Sequence, residues 1–175
     1  MSRNQLDSYS LMVVSKYFNT IDDFINMELG IPKTKGNMEK FHFNPIALDQ
    51  WSRKFFTSLE TLHLYSEEDE KFESETFFKK VVWYRMEYGV WMKENENVQY
   101  KNVVLTKEIS KGMDCIPEGI TEIAENCFTW RHDLKELVIP NSVTSIGRWF
   151  LDECKELTAL TIPTHWEQVG NRPKR

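Results

Sequence analysis

Apolar residues return at a fixed interval in the last third of the chain. The dipeptide Ile-Pro occurs three times with a 23-residue period, at positions 116–117, 139–140 and 162–163. The positions that follow also match, so that Ile120 is equivalent to Val143 and Ile123 to Ile146, and Gly147 then permits a bend. A fixed period of this length indicates an array of similar units, each of which buries its apolar face against the next.

Each unit is predicted to contain a short strand that ends at the proline. In KELVIP, Leu137 and Ile139 lie two residues apart and share one face of a strand, while Glu136 and Val138 share the other. Pro140 has no N–H to donate to a sheet and therefore ends the strand. Stacked copies would form a parallel ladder with neighbouring strands about 4.8 Å apart.

The first half of the chain repeats this apolar spacing once, in LETLHLY, at Leu59, Leu62 and Leu64. The step from Leu59 to the equivalent Leu134 is not a whole number of the intervals that separate the Ile-Pro copies. The segments VVWYRMEYGV and NVVLT have the composition of further strands. We therefore interpret residues 41–112 as irregular entrance repeats and strands, and residues 113–175 as regular repeats of which the last is incomplete.

A first helix is predicted in LDSYSLMVVSKYF. The apolar residues that share one face of this helix are Leu6, Tyr9, Val13 and Tyr17. Asp7 or Ser8 is placed to cap its first turn.

A second helix is predicted in NTIDDFINMEL, where Thr20 and Asp23 have nearly the spacing of a capping box. Its apolar stripe is formed by Phe24, Met27 and Leu29. Gly30 and Pro32 then end the helix. Together the two helices make residues 1–40 a predicted cap, which would cover the sheet edge and the open end of the first coil.

The charge of the chain limits the class of partner. The net charge is −5, and residues 113–163 carry nine acidic and four basic side chains. A surface with this balance repels phosphate backbones, so the sequence predicts that the protein does not bind nucleic acid.

Cysteine usage and hydropathy indicate the compartment. The three cysteines, Cys115, Cys127 and Cys154, are odd in number and have no CxxC spacing, which disfavours a disulfide framework. The amino-terminal segment 1–20 contains only the short apolar run LMVV, and the sequence has no apolar stretch long enough to span a membrane. We expect a cytoplasmic protein that does not insert into membranes; display on the cell surface is the alternative.

The sequence contains no motif that indicates catalysis, a cofactor or a metal site. The histidines at 42, 63, 132 and 165 lie far apart, without HExxH spacing. YSEEDEKFESE is acidic but lacks the glycine and the ligand spacing of a calcium loop. Cys127 and Cys154 are expected to be buried, because no basic partner is placed to activate a thiol. We predict that the protein is not an enzyme.

The repeat frame resembles a known family. LKELVIPNSVTSIG, with its surrounding F/L…C…L…L…IP frame, is similar to the BspA-type leucine-rich repeat. The combination with LMVVSKYFNTIDDFINMEL and NMEKFHFNPI resembles BspA-like repeat proteins of amoebal protists, over residues 6–172. The resemblance implies an α/β fold, a short right-handed leucine-rich-repeat β-solenoid with an N-terminal helical cap. It also implies a protein-interaction module, and some bacterial relatives are surface adhesins.

The amino-terminal helices resemble an F-box, the module that docks substrate receptors onto the adaptor of a ubiquitin ligase. Its apolar positions would be filled by Leu11, Val14, Phe18, Phe24 and Leu29. Where relatives continue the second helix into an aliphatic-Cys-Lys-Lys segment, this chain has GIPKTKGN, which departs from the pattern. An F-box-like adaptor is therefore the alternative function, and a cell-surface adhesin is the second alternative.

Strand alternation and turn positions predict which residues contact a protein partner. The outward strand positions are Glu136, Val138, Ala159 and Thr161, and the turn positions are Trp130, Arg131, His132 and Trp149. Tryptophan and arginine are enriched among the residues that dominate interface energies. The alternative is that Trp130 and Trp149 only cover the side of the solenoid.

The third repeat stops at VGNRPKR, before its coil is closed. An uncapped coil would expose backbone groups together with Leu160 and Ile162, and such an edge is a template for pairing with another chain. The sequence therefore predicts self-association through the last coil.

Overall fold

The computed structural model describes residues 7–91 and 97–167. The helices are α1 (Ser8–Ser15), α2 (Ile21–Gly30), α3 (Tyr88–Trp91), α4 (Lys107–Ser110) and α5 (Thr164–Glu167). The strands are β1 (Thr61–Leu64), β2 (Lys79–Glu87), β3 (Val98–Leu105), β4 (Glu122–Ile123), β5 (Glu136–Val138), β6 (Ser145–Ile146) and β7 (Ala159–Thr161). The pairings described below are all parallel, so the fold is α/β with parallel sheet.

The chain divides into two units. The first consists of Met1–Tyr84 with Glu96–Gln99, and the second of Arg85–Asn95 with Tyr100–Arg175. Strands β2 and β3 each contribute residues to both units.

Helix α1 begins where the sequence predicts, but it buries a different face. The Asp7 side chain caps it by accepting a hydrogen bond from the Ser10 N–H at 2.7 Å. Leu11 and Ser15 are the buried residues, whereas Tyr9 and Tyr17 are 71% and 81% exposed, so the predicted apolar face is wrong. The Asn37 amide donates to the Ser15 hydroxyl at 2.9 Å, and this buried hydrogen bond holds the Ser15 side inward. The predicted Leu6 lies outside the described residues.

Helix α2 confirms the predicted capping box. The Asp23 N–H donates to the Thr20 hydroxyl oxygen, and the Thr20 N–H donates to the Asp23 carboxylate at 3.0 Å. The helix ends at Gly30, and short 3₁₀ turns follow at Pro32–Thr34 and Met38–Lys40. Phe24 is buried as predicted, while Leu29 is 80% exposed.

Three phenylalanine rings form the centre of the first unit. Phe24 of α2 contacts Phe41 and Phe56 edge to face, with centroid distances of 5.8 and 5.6 Å. Phe41 and Phe56 are also in contact, at 6.0 Å. All three rings are essentially inaccessible to solvent. Helix α2 is thus packed on the segment that leads into the first strand.

The strands of the first unit stack with a constant 18-residue offset. Phe43 forms a parallel bridge with Thr61, and Thr61 pairs in turn with Lys79 when β1 pairs with β2. The backbone repeats the same step, since the Glu60 N–H donates to the His42 carbonyl and the Phe78 N–H donates to the Glu60 carbonyl. The step gives these strands a coil shorter than that of the Ile-Pro repeats.

Two parallel ladders run through the second unit. One joins β3 to β4 and β4 to β6, with Val104 opposite Glu122 and Glu122 opposite Ser145. The other joins β5 to β7, with Leu137 opposite Leu160. Both the β4–β6 and the β5–β7 pairs have the 23-residue offset that the sequence predicts. Each coil contributes two short strands, however, where the sequence predicted one.

The core of the second unit consists of the repeated apolar positions. Its completely or almost completely buried members include Ile116, Ile120, Ile123, Phe128, Leu134, Leu137, Ile139 and Val143. In the last described coil Leu160 and Ile162 are 44% and 38% exposed. Trp166 of α5 packs against the core, and the Thr164 N–H donates to the Asn141 side chain at 3.1 Å. A tryptophan thus contributes to covering this coil, which the repeat frame did not indicate.

Candidate functional site

The outward residues of β5 and β7 form a strip two strands wide, which we call the strand strip (Glu136, Val138, Ala159 and Thr161). Glu136 lies directly opposite Ala159, and Val138 directly opposite Thr161. All four side chains are exposed, and Val138 is 54% accessible. Their backbone groups are engaged beneath them, for example in the bonds from Ala159 N–H to the Lys135 carbonyl and from Ile139 N–H to the Thr161 carbonyl. The strip is therefore an ordered surface that the core does not use.

The remaining predicted residues lie in the turns of two successive coils, and we call them the turn group (Trp130, Arg131, His132 and Trp149). Backbone hydrogen bonds of 2.7–3.0 Å join the two turns, from the N–H groups of residues 126, 128 and 130 to the carbonyls of residues 148, 150 and 152. Trp130 and Trp149 are 62% and 61% exposed. The Trp130 ring contacts the His132 ring edge to face, with centroids 6.1 Å apart.

Both tryptophans have left-handed backbone conformations. Their φ angles are 64° for Trp130 and 54° for Trp149, and the same conformation occurs at Asn126 and Glu153. The repeat length relates these positions in pairs, Asn126 with Trp149 and Trp130 with Glu153, so the left-handed residue belongs to the repeat. A bulky side chain costs roughly 1–2 kcal/mol in this conformation. Because each indole is largely exposed, its packing offsets little of that cost.

Arg131 has a different role from its neighbours in the turn group. Its guanidinium donates to both carboxylate oxygens of Asp133, at 2.7 and 2.8 Å, to Asp114 at 2.8 Å and to the Met113 carbonyl at 2.9 Å. The hydrogen bonds to Asp133 and Asp114 raise the pKa of Arg131 further. Only 15% of the side chain is accessible, so it joins this turn to residues 113–114 rather than projecting toward solvent.

The structure therefore brings the eight predicted residues together as two groups. Pairing of β5 with β7 assembles the strand strip, and stacking of successive turns assembles the turn group. Within the described residues, no hydrogen bond, ion pair or ring contact joins one group to the other.

A row of aromatic side chains in the first unit is a surface that the sequence did not reveal. We call it the aromatic ridge (Phe43, His63, Tyr65 and Trp83). Phe43 stacks on His63 with centroids 5.0 Å apart, His63 lies 5.7 Å from Trp83, and Tyr65 lies nearly parallel to Trp83 at 6.5 Å. The signal that would have indicated it is the 18-residue offset, which places Trp83 one coil beyond Tyr65.

A shallow cavity of about 660 Å³ in the second unit is lined by both basic and acidic side chains. Arg85 makes a bidentate ion pair with Glu122, at 2.8 and 3.1 Å. The Lys107 ammonium donates to the Thr129 hydroxyl at 2.9 Å. Glu122 thus neutralises Arg85, and Lys107 is held by a neutral hydroxyl.

The thiols and histidines do not form a reactive centre in the described residues. Burial raises the pKa of Cys127, whose sulfur lies 3.4 Å from the Leu105 carbonyl. Cys154 is half-buried, with its sulfur 3.0 Å from the Phe128 carbonyl. Burial also raises the pKa of Tyr65, to about 12, and Asp69 contributes to the increase. A raised pKa keeps the Cys127 thiol and the Tyr65 hydroxyl protonated, which disfavours either group as a nucleophile.

Two further properties concern the described part of the chain. No group of three histidine, cysteine, aspartate or glutamate side chains among these residues could hold a metal ion. None of the helices described for residues 7–91 and 97–167 combines the length and the apolar character needed to cross a membrane.

Comparison with known proteins finds a family model that matches part of the second unit. Residues 112–172 match the family model described as "BspA type Leucine rich repeat region (6 copies)". No match was found among curated proteins or among solved structures. The matched range contains β4 to β7, the strand strip and the turn group. Parallel pairing of the same kind begins before it, at Phe43 in the first unit and at Val104 in the second.

Proposed function

We propose that this protein is a non-enzymatic interaction module that binds a partner protein through the exposed strands and turns of its repeats, because residues 112–172 match a BspA-type leucine-rich repeat model. The observation that carries the proposal is the exposure of Trp130 and Trp149, each more than 60% accessible on adjoining turns. Leucine-rich repeats commonly mediate protein–protein contacts, and the coils here would form a short right-handed solenoid.

The turn group supports the proposal by its energetics. The repeat itself requires the left-handed conformation at residues 130 and 149, and a tryptophan is a costly residue to place there. Exposed indoles regain their apolar contribution only when a partner covers them, which is why tryptophan is enriched at interface hot spots.

The strand strip supports the proposal by its shape. Ala159 is a short side chain directly opposite the longer Glu136, so a partner can approach the strip closely at this point. Val138 contributes apolar surface, and Glu136 favours a partner with complementary positive charge.

The experiment that tests this proposal is capture of partners by the folded chain from its own cells. The Trp130→Ala/Trp149→Ala double variant and Val138→Glu should each lose at least one specific partner that wild type retains. Phe78→Ala, which removes a side chain that is 83% exposed in the first unit, is the matched control and should retain it. If all three variants fold and capture the wild-type set of proteins, the proposal is wrong.

Docking through the amino-terminal helices is a second candidate function. Tyr9 of α1, Tyr17 in the turn after α1, and Leu29 of α2 are at least 71% exposed, and this favours an adaptor that recruits partners to a ubiquitin ligase. Helix α2 nevertheless ends at Gly30, where the F-box pattern would continue. Deleting residues 1–40 would uncover Phe41 and Phe56, so the cleaner test is the Tyr17→Ser/Leu29→Ser variant. Selective loss of a ubiquitin-ligase adaptor from the captured set would support docking, and its retention would contradict it.

We also propose a cytoplasmic location and self-association through β7. The three thiols at Cys115, Cys127 and Cys154 are free, which suits a reducing compartment. Leu160 and Ile162 present apolar surface at β7, where a second copy could pair. Sedimentation velocity at increasing protein concentration should show a growing dimer fraction, and a concentration-independent monomer would contradict self-association.

A further inference from the structure

The aromatic ridge lies on the outward face of the parallel strands of the first unit. Leu62, Leu64 and Val82 point inward and are buried, whereas Tyr65 and Trp83 remain 37% and 41% accessible. Phe43 and His63 complete the row and are half-buried. Phe43 also contacts the buried Phe41 ring at 6.2 Å, so one end of the ridge packs on the core. The Tyr65 and Trp83 rings at the other end leave apolar surface open to solvent.

The backbone and the polar groups around the ridge are already satisfied. The Asn44 amide donates to the His63 and Ile46 carbonyls and accepts from the His63 N–H, all within 2.9 Å. The Tyr65 hydroxyl donates to the Asn44 carbonyl at 2.8 Å. A ligand on this face meets mainly ring surface, which disfavours a sugar that needs many hydrogen-bond partners. It also cannot add as a further strand, because the ridge is on the face of paired strands and not at an edge.

Charge is distributed unevenly along the ridge. At the Phe43 end, the Lys16 ammonium lies 5.7 Å from the centroid of the Phe43 ring. Lys79 is at the same end, because it pairs with Thr61, which in turn bridges to Phe43. At the Tyr65 end begins the acidic segment 67–75, and the Asp69 carboxylate accepts a hydrogen bond from the Tyr65 N–H at 2.6 Å. The Tyr65 end is therefore negative, which favours a cationic group and repels a phosphate backbone.

We propose that the aromatic ridge binds an extended proline-rich peptide in the polyproline II conformation, with its basic residues next to Tyr65 and the acidic segment. A polyproline II chain has no internal hydrogen bonds and a fully solvated backbone, so it needs few polar partners from the protein. Its rigid rings pack on aromatic side chains with little loss of entropy. Arginine at the acidic end adds charge complementarity.

The dimensions of the ridge suit one turn of such a peptide. The centroid separations of 5.0 Å from Phe43 to His63 and 5.7 Å from His63 to Trp83 limit the length of the row. One turn of polyproline II helix covers roughly 9 Å, at three residues per turn. This proposal concerns residues of the first unit and is independent of binding at the strand strip or the turn group.

The test uses the full chain and a fluorescent hexaproline peptide followed by two arginines. The anisotropy of the labelled peptide should rise to saturation as protein is added, at up to millimolar protein. Trp83→Ala should weaken binding about tenfold or more, since loss of one ring contact of about 1.4 kcal/mol gives that factor. Trp83→Phe should retain most of the affinity because it keeps a ring. If Trp83→Ala unfolds, the Glu67→Lys/Glu70→Lys variant described next serves as the test. Phe78→Ala is the control and should bind as wild type does.

Three comparisons distinguish this ligand from others. A glycine–serine peptide with the same arginines should bind at least tenfold more weakly, and the Glu67→Lys/Glu70→Lys variant should weaken binding of the arginine-containing hexaproline. Equal affinity for both peptides would show that only charge is recognised and would overturn the proposal. Saturable binding of cellohexaose that competes with the peptide, or no binding of the hexaproline peptide at all, would likewise overturn it.

Discussion

At the scale of single residues, the stacking of coils depends on positions where the backbones of two successive coils come very close to each other. A Cβ atom at Gly147 would lie 2.2 Å from the Glu125 nitrogen of the preceding coil. The sequence indicates a bend at this glycine, but the structure gives a different reason for it. The coils approach one another so closely here that no side chain fits.

We predict that Gly147→Ala destabilises the protein by about 3 kcal/mol, because the overlap is with backbone that cannot move aside. Gly30→Ala is the matched control, since a Cβ there has nothing within 4 Å, and it should leave stability unchanged or slightly higher. Urea denaturation followed by circular dichroism measures both variants. Equal stability of Gly147→Ala and wild type would show that the coils can separate at this point.

In the first unit, Asn44 also fixes the contact between neighbouring coils. Its side chain is completely buried and bonds to the backbone of the next strand. Replacing it by alanine leaves the His63 and Ile46 backbone groups without a partner, so we predict a loss of about 3 kcal/mol. Asn26→Ala, at an exposed site on α2, should be neutral or stabilising. The free energies of unfolding of the two variants, compared with wild type, decide the prediction; a neutral Asn44→Ala would contradict it.

At the scale of elements, the sequence predicts strand pairing well where the same buried apolar residues recur. It predicts poorly the conformations that depend on individual hydrogen bonds. Leu137 and Ile139 recur because every coil needs the same apolar side chains, and their 23-residue spacing therefore predicts the register of β5 with β7. The 18-residue coils also repeat buried apolar positions, at Ile46, Leu64 and Val82, but the residue type changes at each step and no Ile-Pro pair marks the period.

The same difference explains two details of the candidate site and the cap. The left-handed conformation of Trp130 depends on hydrogen bonds between turns. A tryptophan in the sequence gives no indication of that conformation. The buried face of α1 depends on the bond from Asn37 to Ser15, between residues far apart in the chain. Prediction from apolar spacing alone cannot find either contact.

The helix starts of the first unit should make its stability sensitive to acid. Hydrogen bonds from Thr20 hold the pKa of Asp23 below its ordinary value, and bonds from Ser10 and Ser52 lower the pKa of Asp7 and Asp49 in the same way. A folded-state pKa below the unfolded one contributes stability above the unfolded value of about 4, and this is lost as pH falls through the lower folded value.

We therefore predict that Asp23→Asn reduces the dependence of unfolding free energy on pH in the range below about pH 4. Wild type should lose stability on acidification more steeply than the variant, because the variant has no carboxylate to protonate at this cap. Asp22→Asn removes the same charge from the neighbouring residue without removing a capping bond, and it should follow wild type. Identical slopes for Asp23→Asn and wild type would exclude the cap as a source of the acid sensitivity.

At the scale of the whole molecule, stacked coils make stability a sum of contributions from neighbours. Leu137 is 1% exposed in the core of the second unit, and Leu137→Ala leaves a cavity expected to cost about 2–5 kcal/mol. If the array transmits the loss mainly to adjacent coils, hydrogen exchange should accelerate most at the amides of Ile139 and Ala159, which bond across the β5–β7 pair. The Thr61 amide, bonded to the His42 carbonyl in the first unit, should exchange at close to the wild-type rate. Acceleration by the same factor at all three amides would instead mean that the chain unfolds as one cooperative body, and the description of its stability by neighbouring coils would fail.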